Sequence, residues 1–207
     1  MSFEQNKYIV VRSAISKELA AFVYDYFLNK RLVANTLLGT KFLPQHTQYF
    51  GHWSDDQVPQ TYSHYSDIVM EEATNLKLIE TYSYARIYKK GDILHRHKDR
   101  PSCEISTTLN LGGPSWPIFL EPDSSKGGMQ GDNYVSENTK GVEIVLNPGD
   151  MLIYRGCDLE HWRDEFNSDD CAQVFLHYNN ANSANALANK FDGRFHLGLP
   201  SEFKRNN

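Results

Sequence analysis

The chain is 207 residues long, 40% hydrophobic and 23% charged, with 21 Lys and Arg against 26 Asp and Glu for a net charge of −5. That length suits one domain, 1–207, with its own core. The acidic balance argues against binding nucleic acid by bulk phosphate neutralisation. No apolar run approaches the roughly 18 residues of a membrane span, and the N-terminus lacks the basic flank and apolar stretch of a signal peptide. Cys103, Cys157 and Cys171 form no CxxC, which argues against a disulfide scaffold or zinc knuckle and makes a reducing cytoplasm the expected setting.

In chain order, Tyr8–Val11 reads as a short strand. Ser16 is an expected N-cap, followed by an amphipathic helix whose apolar stripe is Leu19, Phe22, Val23, Tyr26 and Phe27. Residues 39–63 have no clear period and read as loop, and a second helix is expected over about residues 64–77. After Leu78 the texture changes to short runs rich in β-branched and aromatic residues, broken by Gly, Pro and Asp: 79–88, 103–111, 117–120, 142–146, 151–154 and 171–178. Two helices followed by strands predict an α+β, mainly β fold, an antiparallel sandwich or barrel with N-terminal helices packed on one face. The lead-in is 1–78, the β core 79–178 and the tail 179–207. The tail is apolar enough around residues 191–200 to fold back on the body.

The sequence holds eight histidines and twelve tyrosines. Histidine is the commonest metal ligand among side chains, so spacing is the discriminating feature. In an extended segment residues i and i+2 share a face, which puts His97 and Asp99 together. His161 follows the strand led by Asn147-Pro148-Gly149-Asp150. Two histidines and one carboxylate on neighbouring strands make a facial triad with open positions, the arrangement of non-haem Fe(II) oxygenases. The bland reading is a hydrogen-bonded turn at His97-Lys98-Asp99 and a surface His161. His95 also forms an HxH with His97, as in cupins with Glu104 as the acid, but Glu104 is further away than that pattern expects and His161 comes too late. His46, His52, His64 and His196 show no ligand spacing. Trp162, beside His161, is a candidate to cover the metal.

The run from Ala85 to Asp99 (ARIYKKGDILHRHKD), with Asn147–Tyr154 (NPGDMLIY) and the later His161, resembles the 2-oxoglutarate/Fe(II)-dependent dioxygenases of prolyl 4-hydroxylase type. The resemblance spans about residues 78–178. It implies a double-stranded β-helix (jelly-roll) core, Fe(II) held by His97, Asp99 and His161, and 2-oxoglutarate and O2 as co-substrates. It also implies that Tyr88 donates to the 2-oxoglutarate carboxylate. The distal carboxylate needs a cation or several donors, which the family usually places on the strand after the distal histidine. Here that strand, 171–177, carries no Lys or Arg. Arg163, on the face of His161 if that segment is extended, is the nearest candidate. Its alternative is a surface arginine paired with Asp164 or Glu165. Gln173 and His177 are neutral donors, and Thr107 and Asn110 further polar candidates. Tyr82, Tyr84, Arg86 and Tyr88 alternate on one strand face, lining either the cavity or an outer edge. Residues 39–63 and 112–138 are candidate lids.

The resemblance therefore implies a dioxygenase expected to hydroxylate a C–H bond of a peptidyl or free amino acid. The alternative is a cupin-like or non-catalytic jelly-roll protein that binds a metal or small molecule.

Overall fold

A computed structural model describes residues 2–38 and 69–194. The lead-in comprises a short helix α1 (Phe3–Asn6), strand β1 (Tyr8–Val11) and a long helix α2 (Lys17–Leu38). Ser16 caps α2 as expected, its Oγ accepting from Leu19 N at 3.1 Å. Residues 69–74 are helical (α3). The start of that helix, the 39–63 loop and the tail beyond Arg194 lie outside the described residues.

Among the described residues ten strands follow: β2 (Leu78–Tyr88), β3 (Leu94–His97), β4 (Ile105–Gly112), β5 (Ile118–Leu120), β6 (Gly128–Gln130), β7 (Asn133–Val135), β8 (Val142–Ile144), β9 (Met151–Tyr154), β10 (His161–Arg163) and β11 (Cys171–Asn180). One sheet has the order β1-β9-β4-β11-β2 and the other β3-β10-β5-β8, while β6 and β7 form a separate hairpin. All pairings are antiparallel. The chain steps back and forth between the two sheets, which is the jelly-roll path. The hairpin falls inside the 112–138 segment read from sequence as loop. The turn into β9 is fixed locally: Gly149 has φ +90 after Pro148, and Asp150 N donates to Asn147 O at 2.9 Å, as a type II turn requires.

The period-two alternation of the long strands separates two faces of the larger sheet. Ala85, Ile87, Ile105, Leu109, Met151, Ile153, Val174 and Leu176 share one apolar cluster with Ala20, Phe27 and Met70 from the helices. The α2 stripe differs from the sequence reading. Ala20 and Phe27 are fully buried with Val23, Tyr24 and Leu28 beside them, whereas Phe22 is 70% exposed and Leu19 45%. The helix is rotated about one residue because Tyr24 seats its ring against Gly112, where a Cβ would stand 3.0 Å from the ring, and its hydroxyl donates to Asp170 O at 2.6 Å. On the opposite face of the same sheet lie Ser106, Thr108, Asn110, Tyr154, Gln173 and His177, whose hydrogen bonds and ring contacts run to one another and to the second sheet. That interior holds the polar site.

Beyond β11, α4 (Ala186–Asn189) and a 3-10 turn (Lys190–Gly193) return the chain to the body. Arg100 holds that return, donating to both carboxylate oxygens of Asp192 at 2.5 and 2.9 Å.

Candidate metal centre

The pairing of β3 with β10 sets His97 directly opposite His161, with ring centroids 4.2 Å apart. Asp99 leaves the end of β3 and is anchored by its own N–H, which donates to Gly156 O at 2.8 Å. Nε2 of His97 and Nε2 of His161 each lie 3.5 Å from the same oxygen, Asp99 Oδ1. The other ring nitrogens meet backbone carbonyls: His97 Nδ1 lies 2.7 Å from His95 O and His161 Nδ1 lies 3.0 Å from Leu159 O. A carbonyl only accepts, so each Nδ1 carries a proton, and each Nε2 faces Asp99, donating to the carboxylate when the ring is protonated and presenting its lone pair when the ring is neutral. Three ligand atoms therefore converge on one point, with the outer hydrogen bonds that metal-binding histidines use. This donor set fits a first-row divalent metal.

The electrostatics agree. Burial opposes charge on the Asp99 carboxylate, but His161, then His97 and His177, hold it well below the usual carboxylate range. Burial also works to lower the His97 ring, yet its hydrogen bond to Asp99 and the carboxylate's charge leave it raised. The approach to Asp99 is tight: a methyl group on Gly156 would collide with the Asp99 carboxylate, Cys103 O and Ser106 Oγ.

A cavity of about 340 Å³ opens on His97 and Asp99, walled by Tyr82, Tyr84, Arg86, Ile93, Leu94 and Lys98 among others. The alternating Tyr82-Tyr84-Arg86 face thus lines the cavity and is not an outer edge. Tyr84 stacks between Tyr82 and Phe175, at 6.1 and 4.7 Å. Lys98 Nζ donates to Ser124 O and Gly127 O, both at 2.9 Å. His95 is exposed, and Glu104 accepts from Asn179 Nδ2, Asn180 N and Ser183 Oγ, so the HxH-plus-Glu104 arrangement does not assemble.

Arg163 is not on the surface with Asp164 or Glu165. It is 2% exposed, and its Nη atoms donate to Trp116 O and, at 3.3 Å, to Thr108 Oγ1. Its Nε has no hydrogen-bond partner, and it makes no ion pair among the described residues. Burial pulls its guanidinium down from the ordinary value. Around it stand Trp116, whose ring is 4.9 Å from the guanidinium, and Tyr88, which meets Trp116 edge-on at 4.7 Å. Thr108 donates to Gln173 Oε1 at 3.0 Å, and Gln173 Nε2 donates to Asn110 Oδ1 at 3.1 Å. Arg86 stacks on Tyr88 from the cavity side, 4.5 Å from the ring centre.

Tyr88, Arg163, Gln173 and Asn110 thus come together, whereas Thr107 does not join them. It is on the opposite face of β4, where its Oγ1 accepts from Leu176 N at 3.0 Å; the inward residue is Thr108. Trp162 does not cover the candidate metal ligands. It alternates outward between His161 and Arg163, stacking on Phe119 at 5.4 Å and under Arg96 at 3.3 Å. Sequence reasoning missed Tyr154, whose ring meets His161 edge-on at 4.8 Å, and Ser106. Period-two counting along β9 and β4 could have found both once the inner face was known.

No family model matches the chain, and no curated protein sequence matches it. Solved structures do. EctD from S. alaskensis with 2-oxoglutarate and 5-hydroxyectoine has a TM-score of 0.61 at 16% identity, covering 99% of this chain and 79% of that one. HygX from Streptomyces hygroscopicus with nickel and 2-oxoglutarate has a TM-score of 0.58 at 12% identity, over 87% and 85% of the two chains. A Pseudomonas putida prolyl-4-hydroxylase has a TM-score of 0.51 at 12% identity, over 84% and 89%. At these identities the likeness establishes the fold. Among the described residues no helix is long and apolar enough to cross a membrane.

Proposed function

We propose that this protein is an Fe(II)- and 2-oxoglutarate-dependent oxygenase that hydroxylates a C–H bond of a peptidyl or free amino acid, yielding succinate and CO2 from 2-oxoglutarate. The observation that carries this reading is the convergence of His97 Nε2 and His161 Nε2 on a single Asp99 oxygen. It gains weight from the buried guanidinium two residues beyond His161, which lacks a carboxylate partner among the described residues. A buried unpaired charge is costly unless something pairs it, and a dicarboxylate co-substrate brings the missing anion. The fold shared with EctD and HygX, both solved with 2-oxoglutarate, points the same way.

Fe(II) bound to His97, Asp99 and His161 would supply oxygen activation coupled to decarboxylation of the 2-oxo acid. The chain's own residues bind and orient. The carbonyls of His95 and Leu159 hold the two imidazoles in the tautomer that presents Nε2. Arg163 offers a planar fork to the distal carboxylate of 2-oxoglutarate, with Thr108, Gln173 and the Tyr88 hydroxyl as neutral partners. Burial holds the Tyr88 phenol above its ordinary value, so it remains a donor at neutral pH. Tyr82, Tyr84, Ile93 and Leu94 give the cavity an apolar wall that excludes water beside the reacting bond. Arg86 presents positive charge on the same wall, matching the carboxylate of a free amino acid.

Anaerobic addition of Fe(II) and 2-oxoglutarate should produce a weak visible charge-transfer band that His97→Ala abolishes. Under air the same mixture should form succinate slowly without primary substrate. A protein that retains no iron and shows no band overturns the reading, and one that binds both yet forms no succinate is a binding protein.

A further inference from the structure

The Asp99 carboxylate has two oxygens, and the two imidazoles share only Oδ1. The other, Oδ2, accepts from Ser106 Oγ at 2.7 Å. Ser106 Oγ also lies 3.0 Å from Cys103 O and 3.0 Å from His177 Nδ1. A serine hydroxyl has one hydrogen to donate. Carboxylate and carbonyl are acceptors only, so that hydrogen is spent on them, and Oγ is left to accept from the imidazole. Nδ1 of His177 must therefore carry a hydrogen, and the bonds run in one direction from His177 Nδ1–H to Ser106 Oγ–H to Asp99 Oδ2. Sheet register builds this line, since Ser106 and His177 are directly paired on β4 and β11.

His177 Nε2 is buried and has no hydrogen-bond partner. An unmet buried acceptor costs about 1–3 kcal/mol, and an apolar ring of the same shape would avoid that cost. The ring's tilted packing against Tyr82, at 4.5 Å between centres, requires no nitrogen. What the imidazole adds over a phenyl ring here is the N–H donated to Ser106. The triplet Asp99, Cys103 and His177 also has metal-ligand composition, but the Ser106 hydroxyl makes hydrogen bonds to the first and last of these side chains and fills the place a second cation would need.

We infer that Ser106 and His177 are positioning residues acting through Asp99, tethering Oδ2 so that Oδ1 alone is delivered to the two histidines. The inference rests on the metal-centre reading above. A carboxylate released from the tether can turn and offer both oxygens, taking up a coordination position that the co-substrates require.

The test uses Co(II) as the probe, titrated into the full-length protein and followed by visible absorption, which reports coordination geometry independently of turnover. Ser106→Ala and His177→Phe should each weaken Co(II) binding about 10–100-fold, the range seen when outer hydrogen bonds to metal ligands are removed. Both should also change the shape and intensity of the cobalt band. His177→Asn places an amide N–H near the Nδ1–H position and should restore affinity and spectrum. Thermal melting of the metal-free proteins reports folding separately, and His177→Phe keeps the ring packing if Ser106→Ala fails to fold. Wild-type affinity and spectrum in His177→Phe would overturn the inference, as would failure of His177→Asn to recover either readout, which removes the donated N–H as the cause. If wild type takes up no Co(II), or His97→Ala binds it equally well, the metal-centre reading itself falls and the positioning role with it.

Discussion

Replacing Arg163 with Met separates a binding arginine from a structural one, because the two roles move different observables. Methionine matches much of the aliphatic length and removes the charge. In the metal-free protein the guanidinium makes two hydrogen bonds, to Trp116 O and Thr108 Oγ1. Hydrogen bonds to charged groups contribute about 1.5–3 kcal/mol each. Against that stands the effective penalty for a buried ion without a partner, several kcal/mol. The two nearly cancel, so the melting temperature should move by only a few degrees, at about 2–4 °C per kcal/mol for a chain of this size. Co-substrate binding has no such cancellation. Losing a fork of two charge-assisted hydrogen bonds to the distal carboxylate removes about 3–6 kcal/mol, roughly a 10²–10⁴-fold loss of 2-oxoglutarate affinity. Anaerobic titration of 2-oxoglutarate into the Fe(II)-loaded protein, with differential scanning fluorimetry of the metal-free protein, measures both. A variant that melts far lower yet binds 2-oxoglutarate as wild type would refute the reasoning and make Arg163 a strut, leaving Arg86 on the cavity wall as the cation to test next.

The two adjacent threonines on β4 should differ in their effect on the co-substrate. Thr108→Val should raise the 2-oxoglutarate KM and also lower the melting temperature, since it strands Gln173 Oε1 and weakens the hold on Arg163, while Thr107→Val should leave KM alone and cost about 1 kcal/mol by stranding Leu176 N. Gly156→Ala should weaken metal binding at least about tenfold, because its methyl displaces the Asp99 carboxylate; isothermal titration with Co(II) checks this. His177 sets a pH dependence. Burial depresses its ring to about 4 from 6.5. The unfolded chain therefore takes up its proton first, and the group's contribution to stability, present above pH 6.5, is lost as pH falls toward 4. That contribution is roughly 3 kcal/mol, and His177→Phe should flatten the decline in urea melts of the metal-free protein between pH 7 and 4.

The sequence alone determined the strand-rich body after Leu78, the capped helix after Ser16, the turn before Met151 and the three residues of the candidate metal centre. These features are local. Caps and turns depend on a few consecutive residues, long strands show a period of two, and His97 and Asp99 share a side because they are two apart. Tertiary structure decided the rest. The strands β3, β6, β7 and β10 are three or four residues long, too short to display a period, and exist because neighbours pair with them. Which of Thr107 and Thr108 faces inward is fixed by the pairing of β4 between β9 and β11, since a strand buried on both faces carries no polarity signal of its own. The same alternation turns Trp162 outward and buries Arg163. Helix α2 presents Ala20 and Phe27 to the sheet, because the sheet offers a glycine at position 112 for the Tyr24 ring. His161 meets His97 only through the register of two strands far apart in sequence, and His177 meets Ser106 in the same way. Spacing along a chain reveals which groups point together within one strand; only packed sheets reveal which groups from different strands end up sharing a proton or a metal.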